Sequence, residues 1–233
     1  MGEERSWRAA VIRLHVTAEG QTEKAFVSRV LAPHLATFGV YADARCVLTG
    51  RDKRVSKEYR GGLLSYQKAK ADIQTWMKED RDRNCRFTTM FDLYALPDDF
   101  PNYRQANQQD AYSRVRILED AFLNDVKDER FIPYIQLHEF EALIFSDPAK
   151  LDWEYLEHDT AIASLVSMAE DQNPELINDG KETAPSKRIF NALSDYDKVS
   201  AGVSVVEHIG LQKLGEKCRN FNEWVTQLEN LSR

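Results

Sequence analysis

Four short runs of β-branched and aromatic residues alternate with three stretches of helical spacing, and this alternation most limits how the chain can fold. Residues 11–16 form the first run, which ends at Ala18-Glu-Gly-Gln-Thr22, where glycine and threonine supply a turn and a helix cap. Phe26, Val27, Val30, Leu31 and Leu35 then recur at helical spacing, with Pro33 as a kink and Gly39 as a stop. A second strand is expected at 41–48, a charged loop at 50–60, and a helix at 63–78. The third run, 87–91, ends at Asp92. Ala111, Val115, Leu118 and Phe122 mark the next helix, and a fourth strand at 131–137 runs into His138 and Glu139.

Strands that alternate with helices require right-handed crossovers, so the expected fold class is α/β, a mostly parallel four-stranded sheet flanked by helices. From about Pro148 the pattern turns helical. Leu214, Cys218, Phe221, Val225 and Leu228 make its best amphipathic stripe. The expected division is residues 1–147 as the α/β domain and 148–233 as a helical C-terminal extension packed on it. Trp76, Trp153, Trp224 and Phe221 lie on helical patterns and are assigned to packing.

Composition narrows the class of function. The chain has 233 residues, 42% of them apolar and 30% charged, with a formal charge of −7. Bulk attraction to polyanions is therefore not expected. Charge is uneven, however: residues 51–86 carry eleven basic and six acidic side chains. No run approaches the roughly 18 apolar residues of a membrane span. Cys46, Cys85 and Cys218 are widely spaced, which suits a reducing compartment and buried thiols. The expectation is a cytoplasmic protein.

Phosphate loops, dinucleotide fingerprints, His-Glu-x-x-His and nucleophile elbows are all missing from the sequence. What remains is acid at strand ends. In parallel sheets the functional crevice lies beyond the carboxyl ends of the strands, so topology alone puts Glu19, Asp92 and Glu139 on one rim. Each has an ordinary explanation: Glu19 and Glu23 suit a helix start, Asp92 a turn, and His138 with Glu139 a polar helix start. Asp98 and Asp99 read as solvated loop charges. Three independent strands ending in acid are harder to explain locally, because gathered carboxylates repel unless a cation or shared proton offsets the charge.

Glu19-Gly-Gln-Thr-Glu23 after strand 1 and Asp92-Leu-Tyr94 after strand 3 resemble a Toprim domain, the metal-dependent core of topoisomerases, bacterial primases and overcoming-lysogenization-defect nucleases. Asp92-Leu-Tyr-Ala-Leu-Pro97, His138-Glu-Phe-Glu-Ala-Leu-Ile-Phe145 and Thr183-Ala-Pro-Ser-Lys-Arg188 resemble, more closely, a bacterial family of unknown function grouped with Toprim proteins and encoded beside predicted ATPases. The resemblance implies that Glu19 and Asp92 hold Mg2+ or Mn2+ and that Glu23 matches the second acid of nuclease-type members. Tyr94 departs from the family pattern, standing where a second aspartate belongs, and leaves Glu139 or Glu141 to supply the missing carboxylate. His138 is the candidate general base. Lys187 and Arg188 are candidates for holding the substrate backbone, and the 51–60 loop for steering it. The implied function is a metal-dependent nuclease acting on DNA or RNA as the effector of an AAA- or ABC-type ATPase in phage defence. A catalytically silent Toprim-fold subunit of an ATPase complex is the alternative, nucleotidyl transfer is a third reading, and homodimerisation stays open.

Overall fold

A computed structural model describes residues 11–52, 57–170, 172–177 and 183–233, with main chain only at 49–52 and 57–60. β1 (Ile12–Ala18) leads into a helical segment made of α1 (Gln21–Phe26), a π turn (Val27–Leu31) and α2 (Ala32–Ala36). The π turn has a local cause. Pro33 has no N–H to return to the preceding turn, and the chain widens just before it, with Ala32 N–H donating to Val27 O.

β2 (Val40–Cys46) pairs with β1 in parallel, Ile12 opposite Val40 and Ala18 opposite Cys46. Next come β3 (Leu48–Asp52) and β4 (Lys57–Arg60), an antiparallel pair where a charged loop is expected. Lys57, Glu58 and Arg60 hide this hairpin from a search for apolar alternation, and the side chains of 49–60 lie outside the described residues. α3 (Tyr66–Glu79) starts at Ser65, where Asp99 accepts from Ser65 Oγ and Tyr66 N. Asp99 is exposed, as a solvated loop charge, and also caps α3 from a distant part of the chain.

β5 (Cys85–Asp92) pairs with β1 on one side and with β6 (Phe131–Ile132) and β7 (Ile135–Gln136) on the other. α4 (Tyr103–Ala106) and α5 (Ala111–Val126) fill the crossover between them. β6 and β7 are one expected strand broken around Pro133. Thr89 repairs the break, its hydroxyl accepting from Tyr134 N at 3.0 Å and donating to Tyr134 O at 2.9 Å. All pairings in this main sheet are parallel, in the order β2-β1-β5-β6.

The α/β class expected from the alternation is the class observed, with a helical C-terminal region. That region contains α6 (Asp159–Ala169), α7 (Pro185–Ala192), α8 (Val203–Ile209), α9 (Leu211–Lys217) and α10 (Arg219–Glu229). One core joins Ile12, Leu14 and Val16 of β1 to Phe26, Leu143, Val206, Phe221 and Leu228. The other joins Phe87 and Phe91 of β5 to Ile73 and Trp76 of α3 and to Leu118 and Phe122 of α5. Side chains alternate across a strand, so the sheet is covered on both faces.

The C-terminal stripe is not one helix. Cys218 is extended between α9 and α10, and the carboxylate of Glu175, fully buried, accepts from Asn220 N and Phe221 N at the start of α10. Trp76, Trp224 and Phe221 are core residues, whereas Trp153 is 63% exposed and stacks on His208. The three cysteines are buried and unbridged. No helix among the described residues is long and apolar enough to cross a membrane.

Candidate functional site

β1, β5 and β7 all end on the same edge of the sheet, and each delivers acid there. Glu19 follows β1 directly, and its main chain is held from two sides. Its N–H donates to Met90 O, and its carbonyl accepts from Gly62 N at 2.9 Å. Gly62 has φ +78°, a conformation costly for residues with a Cβ. Asp92 is the last residue of β5, and its N–H donates to Glu19 Oε2 at 3.0 Å. Glu23, one turn into α1, accepts from Gly20 N at 2.7 Å. Glu139 and Glu141 follow β7, separated from it by Leu137 and His138, and a 3-10 turn (Phe140–Ser146) carries Glu141 inward. Glu23 and Glu141 are buried, and Glu139 is 8% exposed.

Burial and mutual repulsion dominate this rim. Desolvation, then the charge of Glu23, pushes the Glu19 carboxyl up to about 7. Desolvation also pushes Glu141 up to about 7 and raises Glu23. Asp92 is raised furthest above the carboxylate range, first by burial, then by Glu23, Glu19, Glu141 and Glu139. Although Asp92 as a residue is partly exposed, its Oδ1 is enclosed and has no hydrogen-bond partner. A buried acceptor left this way is costly unless something else satisfies it.

One cation reaches the cluster that the sequence does not single out. Lys198, in a π turn (Lys198–Gly202), places Nζ 3.2 Å from Glu141 Oε1 and 3.5 Å from Glu139 Oε2. Nothing in its flanking residues distinguishes it from the other Lys and Arg of the chain. Asp197 fixes the turn by accepting from Ser200 N, and its own N–H donates to the Tyr155 hydroxyl.

The remaining candidates divide. Glu139 is anchored to α7 by Ser186, accepting from its N at 2.6 Å and its Oγ at 3.0 Å. Neighbouring Lys187 is exposed, and Arg188 donates Nε to Thr183 O and lies against Met168. Ser186 and Lys198 meet the acidic rim, whereas Lys187 and Arg188, expected to hold the substrate backbone, make no hydrogen bond or ion pair with it among the described residues. His138 is 7% exposed, has φ +62°, and neither ring nitrogen makes a hydrogen bond of good geometry. Burial lowers its pKa, which favours the neutral imidazole. Tyr94, half open to solvent, donates its N–H to His138 O, with the two rings 5.4 Å apart.

The five acids are within electrostatic reach of one another, but no three of them are already gathered at ligand spacing among the described residues. Glu19, Glu23 and Glu139 are turned onto main-chain N–H groups instead. The donor set is all oxygen and the charge excess is large, which suits a hard divalent cation.

This chain belongs to the family described as "Domain of unknown function (DUF4276)", which matches residues 18–229. No curated protein sequence matches it significantly. Among solved structures it is similar to the C-terminal region of the Burkholderia pseudomallei OLD protein, with 13% identity and a TM-score of 0.45, covering 94% of this chain and 98% of that one.

Proposed function

We propose that the chain is a Mg2+- or Mn2+-dependent nuclease that hydrolyses nucleic-acid phosphodiesters at the carboxyl edge of its sheet. One observation carries this reading: acids from separate segments share a buried rim, and the Asp92 Oδ1 at its centre is enclosed without a donor. Glu19, Asp92 and Glu141 would hold the ion, with Glu23 and Glu139 completing the charge around it. A bound divalent ion would supply Lewis acidity at a phosphoryl oxygen and a more acidic water. Lys198, compact and cationic, would lie beside the developing negative charge on the phosphate. Neutral His138 would accept a proton from the attacking water. Tyr94, exposed beside the rim, would border the entering strand.

The effector role beside an ATPase in phage defence follows from the motif resemblance and belongs to the same proposal. A silent, regulatory subunit is the second reading. It is favoured by Tyr94 in an aspartate's place and by Lys198 already neutralising Glu139 and Glu141. Incubation of the purified chain, alone and with an ATPase encoded beside it, with DNA and RNA in Mg2+ or Mn2+ separates the two. Under the nuclease reading, Glu19→Gln and Lys198→Ala each lower cleavage by about 100-fold or more. Cleavage indifferent to both substitutions would remove the site.

A further inference from the structure

At the opposite end of the sheet, where β5 and β6 begin, the charge pattern inverts. Arg81, Arg83, Arg86 and Arg130, with Glu129, line an open concavity of about 600 Å³. Arg130 is committed to Asp128, through Nε at 3.0 Å and Nη2 at 2.8 Å, and also donates to the carbonyls of Asp80 and Met77. The other three are different. Arg86 Nη1 donates to the carbonyls of Arg83 and Cys85 at 2.8 and 2.9 Å, and Arg81 Nε to the carbonyl of Lys78 at 3.2 Å. Carbonyls orient a guanidinium without cancelling its charge. None of the three pairs with a carboxylate among the described residues: Asp80 is engaged with Arg13 and His15, Asp82 with Arg13 and Asp128 with Arg130, which leaves Glu129 as the one acid lining the concavity against three arginines.

Three guanidiniums within six residues, none paired with a carboxylate among the described residues and two of them oriented by carbonyls, form a receptor for oxyanions on a chain of charge −7. Protein partners are usually anchored by buried aromatic or aliphatic groups, and no apolar residue lines this concavity. A sugar–phosphate backbone needs only charge and donors. We propose that the concavity holds the phosphate backbone of nucleic acid, without reading bases, as a second contact remote from the acidic rim. The ligand class rests on the nuclease reading. β5 alone separates the two ends by about 23 Å at roughly 3.3 Å per residue, so a duplex touching both spans at least about seven base pairs.

The test is binding of a fluorescent 30-base-pair DNA duplex, a 30-nucleotide RNA and, as a polycarboxylate control, labelled polyglutamate, by anisotropy across a salt series in EDTA, which prevents cleavage. Arg81→Gln/Arg83→Gln/Arg86→Gln is expected to flatten the slope of log K against log salt by about two to three, at 0.7–0.9 per phosphate contact. Arg81→Gln/Arg83→Gln alters only exposed side chains with at most one main-chain bond, and decides the matter if the triple variant does not unfold cooperatively. Its expected change is about half to two-thirds as large. A folded double variant with the wild-type slope overturns the proposal, as does a loss confined to polyglutamate while the duplex keeps its slope. Hydrolysis of bis(4-nitrophenyl) phosphate with Mn2+, too small to reach the arginines, is expected unchanged in both variants. If the wild type lacks that hydrolysis, the nuclease reading fails while the binding result stands on its own.

Discussion

Two clusters of ionised side chains, one near each end of the same parallel sheet, are treated in opposite ways. At the amino end, Arg13, His15, Asp43, Asp80 and Asp82 form a closed network. Asp80 accepts from Arg13 at 2.9–3.0 Å and from His15 Nε2 at 2.9 Å, while His15 Nδ1 meets Asp43 at 2.6 Å. Arg13 first, with help from His15, holds the Asp80 carboxyl far below the usual range. The two aspartates outweigh the burial of His15 and raise it. At the carboxyl end, the same kinds of acid are raised, because burial and one another's charge meet only Lys198 as a counter-cation among the described side chains. Where charge is satisfied, the fold is being held. Where it is left in excess, stability has been given up at a place suited to binding a cation.

Among substitutions, the largest stability effect is expected for Asp80→Ala, which removes the carboxylate shared by Arg13 and His15 and leaves Arg13 with Asp82 and His15 with Asp43. It is expected to cost about 2 kcal/mol, read as a lower urea midpoint with unchanged m. A loss under about 0.5 kcal/mol would make the amino-end network ornamental.

The pH dependence in EDTA comes next. Glu19 and Glu141, at about 7 when folded against 4.5 ordinarily, bind protons more tightly in the folded state. Their contribution is therefore full below pH 4.5 and falls as pH rises to 7. His15, raised above 6.5, contributes fully below 6.5 and loses that contribution as pH rises through its folded value. Asp80 contributes above 3.8, and that is lost only as pH falls through its much lower folded value. The Tm in EDTA is accordingly expected to fall steadily from pH 5 to pH 8 in scanning fluorimetry. Mg2+ at about 100 times its Kd should restore about 2.7 kcal/mol at pH 8. A flat profile between pH 5 and 8 would mean that the rim does not repel itself.

Smallest is Asp92→Asn, which removes the most strained carboxylate while keeping its shape and offers an N–H2 to its acidic neighbours. Its Tm in EDTA at pH 8 is expected to exceed wild type by the equivalent of about 1 kcal/mol, with cleavage lost, a trade common at functional sites. A destabilised variant would show that Asp92 is a structural residue.

Much of the sheet and of the rim is readable from residue order, and particular residues show where reading stops. β1 and β5 declare themselves by β-branched and aromatic runs, and parallel topology then forces Glu19, Asp92 and Glu139 onto one edge. The β3–β4 hairpin escapes because its residues are charged, so periodicity has nothing apolar to count. Trp153 lies on a pattern that suggests burial, yet it faces outward. The C-terminal stripe is read as continuous because its spacing is helical across Cys218, whereas the break is imposed by Glu175, more than forty residues away.

The amino-acid order by itself determined the α/β class and which acids end which strands, because both follow from local periodicity and from the way successive parallel strands must connect. Only the tertiary structure decided that Lys198, rather than Lys187 or Arg188, stands over the acids, that Glu139 is tethered to Ser186, and that Arg81, Arg83 and Arg86 escape neutralisation. Each of those outcomes depends on which distant partner a long, flexible charged side chain reaches. That choice is made by the packing of the helices that carry the partners, and no local pattern records it.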